Sequence, residues 1–266
     1  MSAMTDVMAT GSGGIVGLVL GMVGGGGSIL AVPLLVYVVG VSSPHVAIGT
    51  SAVAVSASAL GNLVPHWREG HIKWRCAAVF AATGVLGALA GAAAAKALDG
   101  QKLLTLFGLV TAVVGGLMLR KRDNGGDPGV HLTSDTAKEL LPMLLGVGFA
   151  VGLFSGFFGI GGGFLIVPGL MLATRMPLTF AIGTSLVAVS AFGAATAVSY
   201  ALSGMVDWPL AGFFILGAVA GGFGGVALGK TLADRKQALN LVFAGIVILV
   251  GLYIVVRGVL AWNGGA

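Results

Sequence analysis

From Leu140 to Thr174 the chain runs without one Asp, Glu, Lys, Arg or His. Such a stretch exceeds the roughly 20 apolar residues that cross a bilayer. It has company: predominantly apolar segments cover about 11–40, 45–65, 72–98, 102–119, 179–203, 208–232 and 237–258. Only 9% of residues are charged, where a soluble domain carries about 25%. The mean hydropathy is +1.04. That leaves too little polar surface to cover a globule in water. Within lipid the backbone must pair with itself, which permits only helices or a closed barrel. These runs are continuous rather than short and alternating, so they predict helices. The fold class expected is an all-α polytopic membrane protein.

The remaining composition narrows the class further. "MSAMTDVMAT" brings no Lys or Arg ahead of the first apolar run, so no cleavable leader is expected. Cys76 is the single cysteine, which excludes an intrachain disulfide and a cysteine-only metal site. The net charge of +5 points to cationic loops on the inner membrane face, not to nucleic acid.

The chain is one motif written twice. "AIGTSAVAVSA" begins at Ala47 and "AIGTSLVAVSA" at Ala181, differing only at Ala52 and Leu186. Upstream, "MVGGGGSILAVP" (Met22–Pro33) aligns with "FFGIGGGFLIVP" (Phe157–Pro168). Downstream, Gly70 and Trp74 align with Gly204 and Trp208, and Lys96 aligns with Lys230. The repeats span 11–119 and 139–258, joined by a polar linker at 120–138.

Each repeat holds four apolar segments, and the first of each is interrupted by glycines. Glycine costs roughly 0.5–1 kcal/mol against alanine inside a helix, so four glycines in five residues at 159–163 mark a break. If every segment were a full span, Lys and Arg would divide almost evenly between the two faces. If each broken segment enters and returns on one side as a re-entrant hairpin, each repeat keeps three spans and the second is inverted. All of the 14 Lys and Arg except Lys96, Lys102 and Arg257 then share one face. The positive-inside rule favours this arrangement, with a cytoplasmic linker and both termini outside. The expectation is two inverted repeats, each a glycine-broken segment plus three transmembrane helices.

Inverted repeats around broken helices are a transporter plan, with the site where the repeats meet. A break exposes unpaired amide N–H groups and the positive end of the helix dipole, which together form an anion site without lysine. The candidate substrate-binding residues are Gly25, Gly26, Gly27 and Ser28 in the first repeat. Their partners are Gly161, Gly162, Gly163 and Phe164 in the second. Thr50, Ser51, Thr184 and Ser185 of the paired "GTS" triplets add hydroxyl donors. A hydroxyl can bind an anion without trapping it as a buried arginine would. The glycines of "GALAG" (87–91) and "GGFGG" (221–225) suit close helix packing instead.

All nine acidic residues fall at span ends or in loops, so no carboxylate is placed to hold sodium or relay protons mid-span. His66 and Arg68, in "PHWREGHIKW", are candidate entrance residues. Their counterparts Tyr200 and Leu202 are uncharged. No cofactor and no metal is expected. No clustered acid, base or metal set is visible, so an enzyme is not expected.

The paired "GGGGSILAVP" and "GIGGGFLIVP", each followed by "AIGTS", resemble the TauE/SafE sulfite exporter family, also called TSUP. The resemblance covers nearly the whole chain outside the linker. It implies a multi-pass bacterial inner-membrane transporter of small sulfur-containing or carboxylated anions, such as sulfite, sulfoacetate or related organosulfonates, usually outward. It also implies that the glycine segments and "GTS" turns line the pathway. A passive anion channel and an uptake permease remain alternatives. The partners expected are a small anion and the bilayer, with a homodimer left open and no nucleic acid.

Overall fold

The structure, a computed structural model, describes residues 3–23, 25–119, 129–130, 132–133, 136–159, 163–231 and 236–263. The described residues form helices joined by short turns. In chain order these are α1 (Ala3–Val23), a short composite α2, α3 (Pro44–Arg68), α4 (Trp74–Lys96) and α5 (Gly100–Met118). Then come α6 (Ala137–Phe158), α7 (Gly163–Thr174), α8 (Leu178–Ala201), α9 (Trp208–Thr231) and α10 (Lys236–Asn263). The composite α2 passes from 3-10 geometry (Gly25–Leu30) through one α turn (Ala31–Pro33) to a π turn (Leu34–Val38). Eight helices are long and apolar enough to cross a membrane, and α2 and α7 are short.

Local chemistry sets the ends. Ser43 caps α3 by accepting from the Val46 amide, with Pro44 in the first turn where its missing N–H costs nothing. The Asp99 carboxylate accepts from the Gln101 and Lys102 amides to start α5. Gly159 ends α6 in the left-handed region, at φ +67°. Helix α1 begins at Ala3 rather than near residue 11, taking Asp6 into its first turn, where the helix dipole favours a negative charge. Most of the linker 120–138 lies outside the described residues, and α6 starts within it at Ala137.

Pairwise contacts give the helix directions. Gly13, Gly17 and Gly21 of α1 face Phe214, Ala218 and Gly222 of α9 in ascending order, so these two run parallel. Thr50 lies at Asp207 and Asn62 at Gly222, which makes α3 parallel to α9 as well. Helices α4, α6 and α8 form the corresponding parallel set, through Gly84–Gly152, Ala88–Gly156, Lys73–Thr184 and Lys96–Ser199. The two sets oppose each other. Gly49 of α3 meets Tyr200 of α8, Ser56 meets Ser190, and His71 just past α3 meets Gly183. Helices α5 and α10 are antiparallel too, Thr105 lying at Gly258 and Gly115 at Ile248. Corresponding helices of the two halves thus run in opposite directions.

Helices α1 and α3 share a direction although they are consecutive long helices. The short α2 between them carries the chain back, and α7 does the same between α6 and α8. Each broken segment therefore has the returning course of a hairpin. Its outgoing arm is a full-length helix, so among the described residues the long helices number eight rather than six.

The largest interfaces are α1 on α9 and α4 on α6. Glycine makes them. A Cβ on Gly17 would collide with the Ala218 carbonyl, and one on Gly152 with the Gly84 carbonyl. Gly87, Gly91, Gly221 and Gly225 face backbone in the same way, as the sequence suggested. Large apolar side chains such as Leu216, Phe223, Leu249 and Val242 are exposed on the lipid-facing surface, while Thr50, Ser51, Thr184 and Ser185 are buried.

Gly152→Leu therefore forces two backbones apart and should lower the detergent-solubilised melting temperature, at a cost of about 1–3 kcal/mol or more. Gly146, with nothing within 4 Å of an added Cβ, is the control. Gly146→Ala should leave melting unchanged or raise it slightly, by up to about 1 kcal/mol.

Candidate functional site

The two broken segments meet. The 3-10 turn of α2 packs against α7. Residues 26–33 are buried, as are Gly163, Phe164 and Ile166. These described residues thus face protein and not acyl chains, as backbone without helical partners must. Gly27 allows α2 to fold straight back on α1, since a Cβ there would sit 2.9 Å from the Leu20 Cα and the Val16 carbonyl oxygen. Ser28 is fully buried. After the first break the described chain continues in 3-10 geometry from Gly25, and after the second it continues as an α-helix from Gly163. This difference accompanies Gly25 and Ser28 standing where the second repeat has Ile160 and Gly163. Gly161 and Gly162 lie outside the described residues.

Each "GTS" triplet sits against the other half of the chain. The Ser51 hydroxyl donates to the Ile48 carbonyl (2.9 Å) and lies 3.2 Å from the Gly159 carbonyl at the second break. A Cβ on Gly159 would collide with the Ile48 side chain. Helix α8 likewise touches the 3-10 turn of α2. The Thr50 Oγ1 accepts the Asp207 N–H at 3.0 Å, and the Thr184 Oγ1 accepts the Lys73 N–H at 3.1 Å. Asp207 and Lys73 directly precede α9 and α4, so each threonine secures a helix start in the opposite half.

Hydrogen-bond bookkeeping separates the hydroxyls. A hydroxyl has one proton and two lone pairs. Thr50 and Thr184 accept, which leaves their protons available to donate. Ser51 and Ser185 spend theirs on the carbonyls of Ile48 and Ile182. All four residues are fully buried. Farther along, Ser56 donates to the Ser190 carbonyl at the crossing of α3 and α8, and Ser58 and Ser190 bond back into their own helices. These three serines serve packing.

Not all candidates converge. Thr50 lies six residues before Ser56, and Thr184 six before Ser190, in opposed helices. At 1.5 Å per residue the two threonines stand about 18 Å apart along the helix pair, one on each side of the crossing. His66 and Arg68 occupy the last turn of α3, about 25 Å from Thr50. They sit instead on the Thr184 side, where the His71 carbonyl abuts Gly183. Trp67 and Trp74 are exposed and meet edge to face at 6.4 Å, as membrane-interface aromatics do.

Several buried hydroxyls escaped the sequence reading. Ser155 Oγ, Thr196 Oγ1 and Tyr200 Oη are buried without a hydrogen-bond partner among the described residues. Alone in an apolar run, each reads as packing. Only the break four residues after Ser155, and the pairing of Tyr200 with His66, could have drawn attention to them. Lys96 has a defined role: its Nζ bonds the Ser199 carbonyl and the Ser199 and Ser203 hydroxyls, each at 3.0 Å. It closes the C-terminal end of α8, where a cation is favoured.

The sequence pattern described as "Sulfite exporter TauE/SafE" matches residues 9–254. The chain belongs to the TauE/SafE family. This TauE/SafE protein is 50% identical over 257 residues to a probable membrane transporter protein of Xylella fastidiosa strain 9a5c, covering 97% of each chain. It is 27% identical over 273 residues to the probable membrane transporter protein YunE of Bacillus subtilis, covering 96% of this chain and 99% of the relative. The probable membrane transporter protein MJ0441 of Methanocaldococcus jannaschii is 27% identical over 180 residues, 64% of each chain. No solved structure matches the chain. Family and fold together make this a multi-pass membrane transporter, and a bacterial inner membrane fits the Xylella and Bacillus relatives.

The threonine clamps are separable from mere polarity. Thr50→Val leaves the half-buried Asp207 N–H without its acceptor and should cost about 1 kcal/mol in a melting experiment. Thr50→Ser keeps the acceptor and should recover most of that loss.

Proposed function

We infer that this TauE/SafE protein moves small sulfur-containing oxyanions outward across the inner membrane by alternating access. The substrate class is sulfite, sulfoacetate or related organosulfonates and carboxylates. The observation that carries this reading is the contact of the 3-10 turn of α2 with α7, with residues 26–33, Gly163 and Phe164 buried within the protein. At that junction the start of α7 and the 3-10 turn of α2 supply amide donors, and the site comprises Gly25–Ser28 and Gly161–Phe164. Thr50 and Thr184 flank it on opposite sides of the α3–α8 crossing. An anion leaving the cytoplasm meets Thr184 first and Thr50 last, the second break lying at the Thr50 level, where Ser51 reaches the Gly159 carbonyl. The same hydroxyl faces the ion on both approaches, which suits a carrier that opens alternately.

The opposed helix directions support inverted repeats, and the distribution of Lys and Arg supports a cytoplasmic linker with external termini. Electrical energy then favours export. An inside-negative potential of 100 mV drives one negative charge outward by about 2.3 kcal/mol, and neutral donors let the ion go.

Proteoliposomes loaded with labelled sulfite, sulfoacetate or chloride test the reading. The expected result is saturable efflux of sulfite or an organosulfonate, accelerated by an inside-negative potential and by the same anion outside. Non-saturating flux without exchange would mark a channel. Uphill accumulation against that potential would mark an uptake permease. Flux in wild type that persists unchanged in Thr184→Val and Thr50→Val, once both are shown to be folded, removes the threonines from the pathway.

A further inference from the structure

The turn that ends α3 departs from its counterpart in a way that transport of a small anion does not require. In both halves the helix closes with the same backbone device. The His71 N–H bonds the His66 carbonyl at 3.0 Å across Gly70, whose φ is +72°. The Met205 N–H bonds the Tyr200 carbonyl at 2.9 Å across Gly204, whose φ is +68°. This helix ending brings the side chains at its two hydrogen-bonded positions together, commonly as an apolar contact. The second half follows that habit with Tyr200 and Met205. The first half places two imidazoles there, His66 and His71, with ring centroids 6.3 Å apart. Between them in sequence, where the second half has Ser203, stands Glu69.

One ligand atom from each of His66, Glu69 and His71 lies within 4.8 Å of the other two. The His71 Nδ1 is already 3.3 Å from the Glu69 Oε2. We propose that this turn is a binding site for a divalent transition-metal ion of the zinc type, held by His66, Glu69 and His71. Two imidazoles and one carboxylate suit zinc, cobalt(II) or nickel(II) rather than magnesium or calcium, which want oxygen. In a tetrahedral site with bonds near 2.0–2.1 Å, ligand atoms stand about 3.3 Å apart. Closing from 4.8 Å needs only side-chain rotation, and Glu69 is exposed enough to make it. The backbone need not move, because its hydrogen bonds across Gly70 already fix the spacing. Three protein ligands leave a fourth position for water or an anion.

The site is coupled to the pathway by position. The His71 ring meets Phe180, in the first turn of α8, edge-on at 5.7 Å. Two residues further on, Lys73 gives its N–H to Thr184. A metal bound at the turn would stiffen the segment that carries this bond. Arg68 and Lys73 are the cations nearest in sequence, and Glu69 supplies the opposing charge.

The test needs no transport assay, so its outcome stands apart from the function proposed above. Tag-free, full-length protein in detergent is stripped with a chelator and titrated with cobalt(II). The expected result is one equivalent bound with a visible d–d absorption band, displaced by zinc, and a metal-dependent rise in melting temperature. His71→Gln and Glu69→Gln should each weaken binding by about tenfold or more. His45→Gln, a histidine on the other side of the membrane, should leave binding unchanged. Each variant's melting temperature without metal confirms that it is folded. Absence of the band in wild type, or binding undiminished in the His66→Gln/His71→Gln double variant, would overturn the assignment.

Discussion

A helix broken within a bilayer leaves amides and carbonyls with nothing to bond, and hydrocarbon offers them no partner. The rest of this structure answers that constraint. Residues 26–33, Gly163 and Phe164 are buried, the 3-10 turn of α2 lying on α7 and on α8, and the Gly159 carbonyl lying at Ser51 of the opposite half. The cover comes from two long-helix interfaces, α1 on α9 and α4 on α6, which glycine brings to backbone contact. Those interfaces join one half of the chain to the other, so neither half shields its own break alone. The duplication is thereby also a folding requirement: one copy would leave polar backbone facing lipid.

Functional chemistry grows out of the same constraint. Backbone groups that must be covered by protein, yet are not all used by it, are fixed donors in a water-poor interior. The two threonines extend this economy. Each secures the start of a helix in the other half through its oxygen and keeps a proton for something else. In the proposed transport cycle, their separation across the α3–α8 crossing would give the anion a donor on each approach.

Much of this was legible in the residues. The apolar runs gave the helices, the repeated "AIGTS" gave the correspondence of halves, and the distribution of Lys and Arg gave the returning course of each broken segment. Other features were not readable, for physical reasons. A glycine break says that the chain turns, but not how long the arm before it is; α1 and α6 proved full-length. The serines of "GTS" look equivalent to the threonines on paper. They differ because the serine hydroxyls donate to carbonyls, back to Ile48 and Ile182 and, for Ser51, across to Gly159, while the threonine oxygens accept an N–H of the other half. Lys96 looked like an exception to the charge rule. The rule counts charges, and the structure shows this one occupied at the end of α8.

The account rests on amides of the broken segments meeting an anion, and glycine-selective 15N labelling observes them directly. Sulfite titrated into labelled protein should shift a small set of glycine amide resonances, assigned by single substitutions to Gly25–Gly27 and Gly161–Gly163, with saturation at the concentration that half-saturates flux. If transport saturates while those resonances stay fixed and the packing glycines of α1, α4, α6 and α9 move instead, the breaks are not the binding site.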